Sequence, residues 1–255
     1  MKLLENKVAL ITGGGSGFGK AGSIAFADHG AAVCVADINA DNAAAVAEEI
    51  TAAGGRAIAV AADVADERSC ADMVARTVDA FGGLDVVWAN AGVAQPKRAI
   101  EDMPLAEFQR IMTINTQGVW LTLRAAARAL KASGSGSAIV TSSVSGVKGR
   151  PGLSAYHASK GAVIMITRGL AAEWAPFNAR VNCICPVAAD TPMLPTFFES
   201  LGDPKELVEK SRSNIPLGRL ATPKDIVDCA LYLASEMSAM MTGSTLHIDG
   251  GVLAT

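Results

Sequence analysis

Lys7-Val-Ala-Leu-Ile-Thr12-Gly13-Gly-Gly-Ser16-Gly17-Phe18-Gly19 is the stretch that decides the fold. Its first six residues are a short apolar run bounded by polar ones, and a helical pattern follows from Lys20 to His29. The order is strand, glycine-rich turn, helix. Glycines in such a turn admit positive φ and carry no Cβ to collide with a ligand. Backbone N–H groups and the helix N-terminus can then approach a pyrophosphate closely. A glycine cluster alone would equally make an ordinary flexible turn. The strand before it and the helix after it favour a nucleotide cradle.

A second apolar run, Ala32-Val-Cys-Val-Ala-Asp37, ends in an acid eighteen residues after Gly19. The dinucleotide fold places the carboxylate that binds the adenosine ribose about there. A carboxylate accepts hydrogen bonds from ribose hydroxyls and repels a 2′-phosphate. Ser16 in the turn is neutral and Ile38 after the acid is apolar, so no cation waits for a phosphate. NAD is expected ahead of NADP.

Further along the chain, strand patterns near residues 7–12, 32–37, 57–62, 84–89, 137–143, 179–185 and 244–248 alternate with helical ones. The helical patterns include Ala40–Ala53, Asp66–Phe81, Leu105–Ala132, Ala155–Trp174 and Pro223–Ala234. This alternation predicts an α/β fold, a single-domain Rossmann unit over 1–255 with a seven-stranded parallel sheet and helices on both faces. The strand ends then bring Gly13, Asp37, Asp63, Asn90, Ser143 and Pro186 to one rim, where open α/β sheets bind ligands.

At that rim the chemistry-bearing pattern is Tyr156 and Lys160, four apart, with Ser143 thirteen residues upstream of Tyr156. Residues four apart share a helix face. A phenol with a pKa of about 10 is a poor base at neutral pH, and a fixed cation beside it favours the phenolate. A shift of about three units takes roughly 4 kcal/mol of differential interaction. Lys160 together with a positively charged cofactor ring is expected to supply it. The arrangement suits proton transfer to or from an alcohol oxygen. Taken alone, a Tyr-x-x-x-Lys pair reads first as an exposed lysine on an amphipathic helix; the nucleotide end of the chain reverses that reading.

With both ends in place, the chain resembles the short-chain dehydrogenase/reductase family over nearly its whole length. Thr12-Gly13-x-x-x-Gly17-x-Gly19 is similar to that family's cofactor turn, which includes Ser16 and Phe18 here. The resemblance implies that Asp63 and Val64 contact adenine, with Asp37 and Ile38 at the ribose. It implies that Asn90-Ala91-Gly92 lines the cofactor cleft and that Pro186 through Thr191 follow the sixth strand, with Ala189 facing the nicotinamide and Thr191 its carboxamide. It further implies that Asn115, Ser143, Tyr156 and Lys160 are catalytic, Asn115 through a backbone carbonyl that holds a water near Lys160. Lys160 would also bond the nicotinamide ribose. Three positions depart from the family pattern: Val187 stands where Gly is usual, Ala189 where Val or Ile is common, and Ala89 where a second Asn is common. The last leaves hydrogen bonds to be found elsewhere.

The implied activity is NAD-dependent interconversion of a secondary alcohol and a ketone, in a homotetramer built on the Leu105–Ala132 and Ala155–Trp174 helices and the last strand. A rival within the family is an NADP-dependent 3-oxoacyl-[acyl-carrier-protein] reductase. Such enzymes carry basic residues at the site mouth; Ser16, Asp37, Gly134 and Phe177 disfavour it, while Arg128 and Lys131 keep it open. A non-catalytic nucleotide-binding protein would have lost Tyr156 or Lys160, and neither is lost. Pro192–Pro216 is expected to form a substrate lid, with Met193, Leu194, Phe197, Phe198 and Leu201 as its apolar face.

Composition bounds the remaining classes. Half of the 255 residues are hydrophobic, enough for a large single core. A net charge of −3 with scattered basic residues gives no footprint for nucleic acid. The five cysteines, Cys34, Cys70, Cys183, Cys185 and Cys229, follow no disulfide or metal spacing, so reduced thiols and no metal are expected. No apolar run approaches the roughly 18 residues that span a bilayer. Glu5, Asn6 and Lys7 interrupt any export signal. A cytoplasmic enzyme with a small-molecule alcohol or ketone substrate is expected, with neither membrane nor nucleic acid as partner.

Overall fold

Period-two alternation in the strands builds two cores at once. In the computed structural model, which describes residues 2–198 and 202–255, seven parallel strands take the order β3-β2-β1-β4-β5-β6-β7. They are β1 (Val8–Thr12), β2 (Ala32–Asp37), β3 (Arg56–Ala61), β4 (Val86–Ala89), β5 (Ser137–Thr141), β6 (Arg180–Pro186) and β7 (Thr245–Ile248). Ala9, Ile11, Val33, Val35, Val86, Trp88, Ile139 and Ile184 point to one face. There they meet the helices α1 (Gly17–Asp28), α2 (Ala40–Ala52) and α8 (Pro223–Ala234). Leu10, Cys34, Ala36, Val87, Ala89, Val140, Val181, Cys183 and Cys185 point to the other face. That side is covered by α3 (Glu67–Phe81), α5 (Gly118–Ala132) and α6 (Ser154–Trp174). The Rossmann reading is therefore correct, and strand order reverses between β1 and β4.

Local sequence starts the helices where the sheet needs them. Asn39 accepts a hydrogen bond from the Asn42 N–H at 3.0 Å and Asp66 one from the Ser69 N–H at 2.7 Å, capping α2 and α3. Thr222 and Asp225 form a reciprocal capping box ahead of α8, with Pro223 at its first position. The first two caps, Asn39 and Asp66, stand two and five residues after the ends of β2 and β3, close to the ligand rim.

Strand boundaries move by one or two residues from the sequence reading, and one helix differs in kind. The expected helix over 105–132 is two: α4 (Leu105–Met112) and α5, joined by a π-helical stretch, Thr113–Gln117. Its 3.6-residue apolar period runs through the stretch, so the pattern carries no mark of the break. Asn115 sits in that wide turn, a location typical of functional sites. Two further segments, Leu194–Phe198 in 3-10 form and α7 (Pro204–Ser213), lie between β6 and α8. Leu201, read as part of a lid face, lies outside the described residues.

Close approach at α1 explains two glycines. A Cβ on Gly19 would collide with the Gly13 carbonyl oxygen, and one on Gly22 with the Trp88 ring. Trp88 is fully buried, stacks on Phe26 at 5.9 Å between centroids, and donates its indole N–H to Thr141 Oγ1 at 2.8 Å. Gly22→Ala should therefore overpack this contact and cost about 1–3 kcal/mol of stability. A urea unfolding midpoint unchanged from the wild type would show that Trp88 has room to yield.

Candidate active site

The glycine turn is held open by its neighbours on the sheet. Gly13 and Gly17 have φ of +63° and +50°. Gly14 N–H donates to the Ala36 carbonyl at 3.0 Å, tying the turn to β2. Asp37, only 8% exposed, accepts the Gly15 N–H and the Asn39 N–H, each at 2.9 Å. Its carboxylate is thus aimed at the turn, and is not a solvated strand end. A Cβ on Gly17 would meet only the Thr191 side chain, at 3.8 Å, so this residue faces open space. A side chain there would fill the cradle that a pyrophosphate needs, and its absence fits the turn to such a group.

At the switch point Thr12 and Asn90 tie the strand ends together. Thr12 Oγ1 accepts the Asn90 N–H at 3.0 Å and the Ala91 N–H at 3.1 Å. The Asn90 side chain donates to the Thr12 carbonyl at 3.2 Å and accepts from Thr141 Oγ1 at 3.1 Å. Ends of β1, β4 and β5 are therefore locked together, and Asn90-Ala91-Gly92 becomes a fixed wall.

Ser143, Tyr156 and Lys160 meet on the far side of the same cavity, which holds about 310 Å³ and is walled also by Gly13, Gly17 and Thr191. Tyr156 and Lys160 are 7% and 4% exposed. Lys160 Nζ donates to the Thr141 carbonyl at 2.9 Å and lies 5.8 Å from the Tyr156 ring centroid. The Ser142 hydroxyl donates to the Lys160 carbonyl at 2.7 Å, fixing the helix against the β5 end. Ser143 Oγ accepts the Ser145 N–H at 3.1 Å, orienting the hydroxyl in the turn after β5. The strand ends at Thr141, so Ser143 stands in that turn, two residues beyond the sheet.

The protein's own groups push Tyr156 and Lys160 towards their neutral forms. Burial pushes the Tyr156 phenol up to about 12, with the neighbouring Ser143 hydroxyl acting in the opposite direction. Burial also pushes the Lys160 ammonium down to about 8. Desolvation is thus the dominant influence on both groups when only the protein's own groups act. Lysine alone does not deliver a phenolate.

Asn115 is fully buried outside the cavity wall. Its Oδ1 accepts the Val93 N–H at 2.7 Å, and its Nδ2 donates to the Val93 carbonyl at 3.0 Å and to Ser159 Oγ at 3.2 Å. The π turn thus clamps the loop after β4 to α6. Ile38 follows the end of β2 and Asp63 and Val64 that of β3, outside the cavity lining; Ile38 is exposed and Val64 packs over Gly118. Pro186 ends β6, and Val187 and Ala189 pack into the core beneath the rim while also lining the cavity. Phe197 meets the Tyr156 ring edge-on at 5.2 Å, and Leu194 and Phe198 also wall the cavity.

One residue escapes sequence reasoning entirely. Gln95 is fully buried, accepts the Tyr156 N–H at 2.8 Å, and donates to the Gly152 carbonyl at 2.9 Å. It therefore sets the first turn of α6 against the two loops that frame the cavity. A single glutamine in a loop carries no spacing signal. Gln95→Ala should leave the Tyr156 N–H buried without a partner, costing about 1–3 kcal/mol. A thermal melt together with nucleotide-dependent turnover would reveal it; intact stability and turnover would show that the clamp is dispensable.

Comparison with known proteins adds the family. The family pattern described as Enoyl-(Acyl carrier protein) reductase matches residues 13–253. A cis-4-hydroxycyclohexanecarboxylate dehydrogenase of Sinomonas cyclohexanicum is 37% identical over 248 residues, 97% of each chain. A short-chain type dehydrogenase/reductase from Mycobacterium marinum superposes with a TM-score of 0.91 at 39% identity, over 99% of this chain and 97% of the other. A 3-ketoacyl-(acyl-carrier-protein) reductase from Brucella melitensis, solved with NADH, gives 0.90 at 38% identity, over 98% and 99%.

Proposed function

The chain belongs to the short-chain dehydrogenase/reductase family of oxidoreductases, and from that premise we propose an NAD-dependent enzyme that interconverts a secondary alcohol and a ketone. One observation carries the reading: Ser143, Tyr156 and Lys160 share a cavity with an open glycine turn whose far end is marked by Asp37. NAD, when bound, supplies the hydride acceptor or donor. Everything else falls to the protein. Tyr156 takes the hydroxyl proton in oxidation and returns it in reduction. Ser143 hydrogen-bonds the substrate oxygen and steadies charge developing on it. Lys160, fixed by the Thr141 carbonyl, bonds the nicotinamide ribose and biases the phenol. Asn115 connects the site to solvent through the backbone of its π turn.

The remaining binding roles follow the rim. Gly13, Ser16, Gly17, Phe18 and Gly19 cradle the pyrophosphate, Asp37 and Ile38 meet the ribose, and Asp63 and Val64 the adenine. Asn90, Ala91 and Gly92 line the cleft, with Pro186, Ala189 and Thr191 at the nicotinamide. Residues 192–216 act as the substrate lid of the single domain. The dehydrogenase relative acts, by its name, on a ring-bearing hydroxy acid, which supports a compact cyclic alcohol here.

The acyl-carrier-protein reductase reading has less support. Lys131, one of its two candidate docking cations, is paired with Glu173 at 3.2 Å and lies over the Trp174 and Phe177 rings. A cytoplasmic homotetramer is part of the proposal. Five free cysteines and exposed Leu105, Phe108, Trp120 and Met165 on α4, α5 and α6 support it. Among the described residues no helix is long and apolar enough to cross a membrane.

The sign of the phenol's shift fixes a pH dependence. Oxidation needs Tyr156 without its proton, so its rate should climb with pH into the alkaline range, because burial raises that pKa. Reduction needs the proton in place and should be best at lower pH, with optima about one unit or more apart. Tyr156→Phe should lose about 10²–10⁴ in turnover in both directions. Initial rates from pH 5 to 10 test both points; coincident optima or a near-normal variant would remove Tyr156 as the proton carrier.

Cofactor choice rests on the ribose carboxylate. Asp37→Ala should lower the preference for NAD over NADP by about tenfold, since a charge-assisted bond goes and a repulsion is relieved. The ratio of kcat/KM for the two coenzymes measures it, and an unmoved ratio would count against Asp37.

A further inference from the structure

The cleft carries a charge bias that proton transfer does not use. Beyond Lys160, three cations stand on its wall: Lys97 from the loop after β4, Arg150 from the loop after β5, and Lys210 from α7. No Asp or Glu joins them among the described residues of that wall. The chain as a whole has 25 acidic and 22 basic residues, so an unbiased wall would mix the signs. Exposed lysines and arginines usually do no more than solvate a surface. Here their placement argues otherwise.

Lys97 and Arg150 sit on two loops stitched at one point. The Gly152 carbonyl accepts both the Gln95 side chain and the Arg98 N–H, each at 2.9 Å. A Cβ on Gly152 would lie 3.4 Å from Lys97 Cβ, so the two cationic residues rise from adjacent backbone. Lys210 enters from the separate segment between β6 and α8. On that helix Glu209 is taken by Arg212, and among the described residues none of the three rim cations has an ion pair. Between the rim and Tyr156 the wall is largely apolar, with Leu153, Phe197 and Leu207.

We propose that the substrate is an anionic alcohol or ketone, with a carboxylate on a compact apolar body, held at the cleft mouth by Lys97, Arg150 and Lys210 while its carbinol carbon lies at Tyr156. The inference rests on the alcohol–ketone reading above and deepens it. A carboxylate suits this rim because charged hydrogen bonds to Lys and Arg are the strong ones. It also ties α7 to the two loops, so binding energy from a remote group is available to close the site. The same field steers an anion inward at low ionic strength.

The test is kcat/KM with NAD for 2-, 3- and 4-hydroxycyclohexanecarboxylate against the matching carboxamides and against cyclohexanol. Wild-type protein should favour at least one carboxylate over its amide by about tenfold or more, chiefly through KM. Added salt should shrink that ratio. Combining Lys97→Gln, Arg150→Gln and Lys210→Gln should bring the ratio towards one, whereas Lys97→Arg with Lys210→Arg should keep it. Equal use of acid and amide overturns the proposal, as does a preference that survives loss of the three cations. Rim-dependent turnover confined to acyl groups on an acidic carrier protein overturns it too. Turnover of cyclohexanol or the amides without acid preference sinks the anion and leaves the dehydrogenase standing. Failure on every alcohol and ketone, with both coenzymes, sinks both.

Discussion

An ammonium buried beside a phenol is the constraint around which this site is organised. Lys160 is nearly inaccessible, and its pKa is pushed from 10.5 down to about 8. A shift of that size corresponds to roughly 3 kcal/mol that charging Lys160 takes from the folded state near neutral pH. The sign is definite: the unfolded chain binds the proton more tightly, so this penalty is present below pH 8 and fades as pH rises from 8 towards 10.5. Tyr156 behaves in the opposite sense, its raised pKa favouring the folded state only while the phenol keeps its proton. Neither group is where stability alone would put it. The surrounding hydrogen bonds, from Thr141, Ser142, Gln95 and Asn115, hold in place a pair that packing by itself would not select.

Sheet topology explains why those hydrogen bonds are available. Because strand order reverses between β1 and β4, their ends diverge and leave a crevice. Thr12 and Thr141 then cross-link the three central strand ends through Asn90, which turns a gap between loops into a rigid wall. Rigidity matters because a misplacement of about 1 Å can cost 10²-fold in a transfer reaction. The segment after β6 meets this wall from outside, with Phe197 edge-on to the Tyr156 ring.

Much of this was legible in the sequence, and the exceptions have physical causes. Strands and glycine turn announce themselves because a fully buried parallel strand must be a short apolar run and a phosphate cradle must lack Cβ atoms. Asp37 was readable as a strand-end acid at a known offset. Its two backbone hydrogen bonds were not, since they depend on how Gly15 and Asn39 return to it in space. The π turn at Asn115 left no trace because its apolar period continues on both sides. Gln95 left none because its partners are 57 and 61 residues away. The upward push that burial alone gives Tyr156 was not legible for a related reason: spacing shows which charges are neighbours, and burial is a property of the assembled fold.

The same balance links the two ends of the cleft. At its floor, low polarizability makes every charge expensive, so Tyr156 and Lys160 are both driven towards their neutral forms. At its mouth, Lys97, Arg150 and Lys210 remain in contact with water. A site built this way separates recognition from chemistry. Exposed cations attract and orient without needing to be desolvated, while the buried pair, pushed towards its neutral forms, responds to each change at the reacting oxygen. An acidic residue on the wall would compete for the rim cations and would draw a proton of its own into the dry floor. Its absence among the described residues of the wall is what allows one cleft to be cationic outside and nearly neutral within.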